Sequence, residues 1–403
     1  MKKIAKIVLI IVIVILLILA TVFVFREKIF VFFLSVTETS LETGVQLHTH
    51  GNGEYEAPHE VSSTTLEEGV AAESSTSEEK NIEVVAKNLQ IPWEIAFLPN
   101  GDILVTERPG TLKRIGGGGN VYPITGVKHV GEGGLLGVAL HPQFSENQLL
   151  YVYLTTKTKD GLINKVERYR FNGDVLSEKT VIIDNIPGAR YHDGGRIAFG
   201  PDGYLYITVG DAGKPDNAQD TSSLSGKILR LLDDGSIPPD NPFGNAVYSY
   251  GHRNPQGLVW DDKDQLWSTE HGPFGFDELN LIKKGKNYGW PIIKGDEIQV
   301  GMEPPIVHSG PDETWAPSGM AFYENSLFFS GLRGETLYEA QIENGNVIKL
   351  KAHFRKEFGR LRAVVIGPDN SLYISTSNTD NRGKERNGDD KIIKIPLEIF
   401  KEN

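Results

Sequence analysis

The chain has 403 residues, a formal net charge of −12, 39% hydrophobic and 23% charged residues, and no cysteine. That length supports one large domain or two ordinary ones. The absence of cysteine excludes disulfides, thiolate metal sites, a cysteine nucleophile and a lipid-modified cysteine anchor. Residues 81–403 carry about −7 with no basic stripe, so nothing points to a nucleic-acid partner.

Taken in chain order, Lys2, Lys3 and Lys6 precede nineteen uncharged residues, Ile7–Phe25. At about 1.5 Å per helical residue this run nearly spans a hydrocarbon core of roughly 30 Å. Arg26-Glu27-Lys28 and the apolar Ile29–Leu34 follow, with no small-residue cleavage site. Residues 1–28 are therefore expected to be an uncleaved transmembrane helix with a cytoplasmic N-terminus, a single-pass cell-membrane anchor that leaves the rest extracytoplasmic. Residues 29–80 read as a linker. Its stretch 51–80 holds eight Glu against one Lys, and the Ser/Thr/Glu-rich Val61–Lys80 has little to bury and is expected to be disordered. His48, His50 and His59 are metal-competent, but in such a segment they read more simply as solvated linker.

From residue 81 one signal returns six times: an apolar strand, a turn built on Asp or Asn, often with Gly, and a second apolar strand. The copies fall at 95–107, 136–154, 197–211, 258–270, 320–332 and 364–377. Period-2 alternation around these turns marks each as a hairpin. Six copies give roughly 53 residues per unit, the size of a four-stranded propeller blade. No long stretch shows a helical period. Residues 81–403 are expected to form an all-β, six-bladed β-propeller with four-stranded blades, its chemistry in the loops of one face.

Those loops hold the unusual residues. Glu132 lies in a Gly-rich turn before one repeat strand. His192 precedes another, and Asp211 follows the strand that returns from it. A hairpin brings such positions to one end of a blade, and an imidazole oriented by a carboxylate is a general-base arrangement; the plainer alternative is a capped turn. Arg253 and Asn254 sit in a Gly-bounded loop. Arg360 and Arg362 alternate along a strand and would repel each other unless an anion lay between them, or else they are a surface pair. In 270–290, backbone carbonyls with Asp277 and Glu278 are hard oxygen ligands of the kind calcium accepts, although the spacing is not that of an EF-hand and an exposed acidic turn would look similar.

Together these segments resemble the soluble glucose dehydrogenase and aldose sugar dehydrogenase family, also called the glucose/sorbosone dehydrogenases. The resemblance spans about 83–397. It rests on GEGGLLGVALHP, HDGGRIAFGPDGYLYITVGD, GHRNPQGLVW, EHGPFGFDELNLIKKGKNYGWP and GRLR, in the family's order. It implies a six-bladed propeller that binds pyrroloquinoline quinone (PQQ) and calcium and oxidises aldose sugars at C1 to lactones. By the resemblance His192 would be the base, Asp211 would orient it, and Arg253 and Asn254 would contact the quinone. Arg360 and Arg362 would bind the cofactor's carboxylates. The carbonyls of Gly272 and Pro273 would hold the catalytic calcium, with Glu278 and Tyr288 at a second, structural one.

Three positions depart from the family pattern. Glu132 stands where some members carry Gln near the cofactor. Leu332 stands where some carry a lysine, leaving Arg333 as a candidate substitute. Ala363 follows Arg362 where an aspartate is usual. Two rival readings are a calcium-dependent lactonase, which needs several Asp, Asn and Glu side chains converging on the channel, and a non-catalytic extracellular binding module. The joint presence of His192, Asp211, Arg253, Arg360 and Arg362 favours the enzyme. Neither the sugar nor the electron acceptor, a membrane quinone or a cytochrome, is legible.

Overall fold

The computed structural model describes residues 81–401 together with two short strands before them, His48–Thr49 and Glu54–Tyr55. The expected anchor, 1–28, the stretch Val61–Lys80 expected to be disordered, and His50 and His59 lie outside the described residues. No helix among the described residues is long and apolar enough to cross a membrane.

The strands form six sheets, each built on four antiparallel strands that follow chain order except in blade six. Blade one runs from Pro92–Phe97 to Val121–Pro123, blade two from Leu135–Leu140 to Leu176–Pro187, and blade three from Ile197–Phe199 to Val247–Tyr250. Blade four runs from Pro255–Trp260 to Val307–His308, blade five from Pro317–Tyr323 to Asn346–His353, and blade six begins at Leu361–Ile366. The first strand of each blade packs against the first strands of its two neighbours, closing a ring around a central channel. The six repeats read from the sequence are the inner hairpins of the six blades.

Inner strands are buried on both faces because each is walled in by neighbouring blades. Ile103–Glu107, Leu205–Val209 and Leu266–Glu270 are buried along their whole length. The core accordingly divides into six clusters, one at each contact between blades. Leu136, Tyr151 and Ile207 join blades two and three, whereas Tyr206, Leu258 and Tyr288 join blades three and four.

Closure is discontinuous in sequence. The outer strand of blade six is Glu83–Ala86, paired antiparallel with Ile392–Pro396 at the other end of the chain. The linker is also not structureless throughout. His48–Thr49 pairs with Val307–His308 of blade four, and Glu54–Tyr55 pairs in parallel with Lys349–Leu350 of blade five. An outer strand presents unpaired backbone groups to any passing segment, a signal that linker composition does not carry.

Removing Asn81–Ala86 strips the last strand from blade six, together with Ile82 and Val85, which pack on the flanking core clusters. The expected result is a fall in melting temperature of about 5–10 °C, with early protease cleavage in blade six. Differential scanning fluorimetry and limited proteolysis check it.

Candidate functional site

In a four-stranded antiparallel blade, the connection from second to third strand and the crossover into the next blade leave from the same end. That parity gathers the crossover residues Glu132, His192, Arg253, Asn254 and Arg360 on one face. Asp211, the 271–277 loop, Arg333 and the 377–390 loop join them from the second-to-third connections. Turns such as Pro99-Asn100-Gly101 and Pro201-Asp202-Gly203 fall on the opposite face.

His192 and Asp211 meet. His192 Nδ1 lies 2.7 Å from Asp211 Oδ1, with the imidazole 15% exposed and the carboxylate buried. The contact occupies Nδ1 and leaves Nε2 as the edge of the ring turned away from Asp211. Asp211 Oδ1 also accepts the Gly213 amide at 2.7 Å, and Oδ2 accepts Trp290 Nε1 at 2.9 Å. Burial alone would raise the Asp211 pKa, but the bond and charge of His192, with these donors, outweigh it and hold the carboxyl below its ordinary value.

The backbone at His192 is left-handed, φ 62°, a conformation a non-glycine residue keeps only when its surroundings impose it. Its amide donates to Glu132 Oε2 at 2.9 Å, while Asp193 Oδ1 accepts both Asn164 Nδ2 and the Ala189 amide. Gly210 lets the chains approach: a Cβ there would fall 2.0 Å from the His192 carbonyl oxygen and 2.9 Å from Asn254 Oδ1.

Arg253 donates from Nη1 to the His271 carbonyl at 3.1 Å and lies 5.3 Å from the Trp290 ring centroid. Its amide donates to Glu270, which also takes His252 Nδ1 at 2.8 Å. His252 is thereby a buried structural histidine, stacked on Tyr288. Asn254 Oδ1 accepts the Gly194 amide at 3.0 Å.

The two arginines of GRLR do not form a matched pair. A register shift between Leu361 and Val364 interrupts the regular alternation expected of them, and their guanidiniums engage different partners. Arg360 is bound to Asp380 Oδ2 at 2.8 Å, the Leu332 carbonyl at 3.1 Å and the Ser377 carbonyl at 3.3 Å. Arg362 turns into the channel, donating to Gln256 Oε1 at 2.7 Å. Burial, with Arg108 and Arg360 as neighbouring like charges, pushes Arg362 down to about 9.

The three departures have structural accounts. Glu132 is not a bare charge, because Oε1 accepts Arg382 Nη1 at 2.9 Å. Leu332 is buried and Arg333 faces solvent, so Arg333 does not replace the family's lysine inside the site. Ala363 is fully buried between blades six and one, and Arg362 is engaged instead by Gln256 of blade four.

Beneath the site the channel is plugged. Arg196 pairs with Glu94, lies 4.2 Å over the Trp93 ring and donates to the Gln256 carbonyl at 2.8 Å. Past this plug, a cavity of about 620 Å³ lined by Val138, Phe199, Val259 and Phe322 opens on the opposite face, away from His192.

Buried side-chain nitrogens without a hydrogen-bond partner among the described residues include Arg108 Nε, Arg253 Nε, Asn254 Nδ2, His271 Nε2 and Arg362 Nε. Buried polar groups are rarely left unmatched, and this set suits an anionic, carbonyl-bearing ligand such as PQQ. For calcium, the carbonyls of Gly272 and Pro273 accept no hydrogen bond from the described residues. Asp277 is already spent, accepting from Gly272, Thr314 and Ala316. Glu278 accepts Asn280 Nδ2 at 3.0 Å, and burial beside Glu270 pushes it up to about 8, a crowding that a cation would relieve. Tyr288 packs on His252, and its hydroxyl donates to the Leu281 carbonyl at 2.6 Å, which leaves only its backbone for a metal. Among the described residues no group of three or more His, Asp or Glu side chains is placed to hold a metal ion.

Arg108, Gln256, Trp290, Asp380 and Arg382 escape the sequence reading. Gln256 and Trp290 stand inside quoted motifs. Arg382 and Asp380 lie in a polar loop that resembles any other surface loop until blade six closes beside blade one.

The molecule is thus a six-bladed propeller that carries, on one face, a buried carboxylate–imidazole pair beside unmatched arginine and amide donors. The glucose/sorbosone dehydrogenase family model matches residues 89–385. The aldose sugar dehydrogenase YliI of Escherichia coli is 36% identical over 336 residues, 73% of this chain and 90% of that one. Quinoprotein glucose dehydrogenase B of Acinetobacter calcoaceticus is 37% identical over 257 residues, 54% of each chain. The PQQ-bound structure of aldose sugar dehydrogenase from Streptomyces coelicolor superposes with a TM-score of 0.74 at 40% identity, covering 78% of this chain and 98% of that one. The chain belongs to the glucose/sorbosone dehydrogenase family.

The Glu132 carboxyl yields a pH prediction. Burial opposes its ionisation, but His271 charge, the His192 amide and Arg382 outweigh it and hold the carboxyl at about 2. His271 is itself pushed down by burial to about 4, so at neutral pH the amide and Arg382 carry the effect. Because the folded pKa is depressed, this stabilisation is complete above about pH 4.5 and is lost as pH falls toward 2. Glu132→Gln is expected to flatten that part of the stability–pH curve, by no more than about 3 kcal/mol, in denaturant titrations between pH 2 and 5.

Proposed function

We propose that the protein oxidises aldose sugars at C1 to lactones with PQQ and calcium. The observation that carries the reading is the 2.7 Å contact between His192 Nδ1 and Asp211 Oδ1, beside the unmatched donors of Arg253, Asn254 and Arg362. His192 takes the C1 hydroxyl proton on Nε2 while Asp211 keeps Nδ1 protonated and balances the imidazolium. The C1–O bond becomes the lactone carbonyl as the sugar gives up that proton and the hydrogen on C1 with its electron pair.

PQQ, when bound, supplies the acceptor for that hydride, and calcium polarises it. Arg253 and Asn254 meet negative charge that develops beside them, an oxyanion-type stabilisation. Arg362, and Arg108 with it, bind carboxylate, while Arg360 frames the pocket through Asp380. Gly272 and Pro273 carbonyls hold the catalytic calcium, and Glu278 with the Tyr288 carbonyl holds a structural one.

The domain plan extends this. Residues 1–28 anchor the chain in the membrane, 29–80 form the extracytoplasmic linker, and 81–403 form the catalytic propeller. The anchor's nineteen uncharged residues after three lysines support it. An anchored site could pass electrons to a membrane quinone or a nearby cytochrome.

His192→Ala is expected to lower kcat by about 10³–10⁴ with a panel of aldoses and an artificial dye, while PQQ affinity stays within a few-fold. Stopped-flow reduction and fluorescence quenching separate the two effects, and unchanged turnover would sink the assignment. Chelation of calcium is expected to abolish turnover and lower the melting temperature. Glu278→Gln should remove most of the melting-temperature gain that calcium restores, measured by differential scanning fluorimetry without PQQ.

A further inference from the structure

We infer that Trp290 is a positioning residue, holding the His192–Asp211 dyad and Arg253 in register with one another; the inference rests on the dehydrogenase reading above. Its indole Nε1 donates to Asp211 Oδ2 at 2.9 Å, the carboxylate oxygen that His192 does not use. The other oxygen already serves His192 and the Gly213 amide. Asp211 is wholly buried, so without the indole Oδ2 loses its donor in a place water does not readily reach. The carboxylate plane, which aims Oδ1 at the imidazole, is fixed by donors at both of its ends.

The same indole faces the other charged group of the site. The Arg253 guanidinium carbon lies 5.3 Å from the ring centroid, within cation–π range. Arg253 also meets Asp211 through the backbone, its carbonyl accepting the Asp211 amide at 2.8 Å. Trp290 therefore touches both groups that flank the substrate, through its N–H on one side and its ring on the other.

Its own placement is over-determined. Trp290 belongs to the long connection after Glu278–Ile282 of blade four, yet it reaches Asp211 of blade three. Its amide donates to the Gly251 carbonyl at 2.9 Å, and its carbonyl accepts Gln219 Nε2 at 2.6 Å. Gln219 in turn exchanges two hydrogen bonds with Asn287, at 3.1 and 2.7 Å. A tryptophan that served packing alone would not need its N–H on the one carboxylate that orients the base.

The test is a double-mutant cycle on the full chain. Trp290→Phe keeps an aromatic ring near Arg253 but loses the donor. It is expected to lower kcat about 10-fold or more with KM within two-fold. In an Asp211→Asn background the same change should cost no more than two-fold, because the partner it acts through is already altered. A full, additive loss in that background, or unchanged kcat in Trp290→Phe, overturns the inference.

A second measurement avoids any change at Trp290 and any turnover. The chain has five tryptophans, so ¹⁵N spectra of the protein without PQQ carry five indole signals. Asp211→Asn replaces an anionic acceptor by a neutral amide, and one indole N–H should move upfield while four hold still. No movement means the bond to Asp211 is absent and overturns the inference. Lack of turnover in the unaltered protein counts against the dehydrogenase reading, and the spectra still decide where Trp290 points.

Discussion

Ring closure is the constraint on which the rest of this structure depends. Each blade is a small sheet whose inner strands are buried on both faces only by its neighbours, so no blade can stand alone in water. Six core clusters, each shared by two blades, mean that stability is distributed around the ring and complete only when the ring is complete. Pairing of Glu83–Ala86 with Ile392–Pro396 ties one end of the propeller to the other in the same blade. That clasp also sets the site, because the 377–390 loop of blade six reaches Glu132 of the blade one to two crossover only across the closed joint.

Closure then poses an electrostatic problem at the active face. Connections and strand ends from different blades deliver Arg108, Arg253, Arg360 and Arg362 to one buried region, against which Glu132, Asp211 and Asp380 are set. The chain resolves part of this internally: Arg360 with Asp380, Glu132 with Arg382, Arg196 with Glu94 beneath. What it leaves unresolved is a set of unmatched donors at Arg108, Arg253, Asn254 and Arg362. A polyanionic cofactor answers that deficit, and the polar plug around Trp93 separates this wet face from the apolar mouth of the opposite one.

Geometry at His192 is held in the same over-determined way. A left-handed histidine backbone, a carboxylate with donors on both oxygens and a glycine at the closest approach each narrow the freedom of one imidazole. Groups needed in one orientation are fixed by neighbours from three blades, and a substitution far from the substrate can therefore be felt there.

By itself the sequence determined the blade count, since six inner hairpins carry a period-2 pattern and turns that local chemistry dictates. It also marked His192, Asp211, Arg253 and Asn254, whose motifs are unbroken and lie within one hairpin or loop. The outer strands were not legible, because on the rim one face meets water and the alternation weakens. Nor were the partners of the departures. Arg382 stands 250 residues from Glu132, and Gln256 stands 106 from Arg362. Only the tertiary structure could decide that Arg360 and Arg362 serve different partners, that Arg333 faces solvent, and that Trp290 crosses from blade four to blade three. The contacts of Arg362 with Gln256 and of Trp290 with Asp211 run between blades, and closing the ring is what creates contacts between blades.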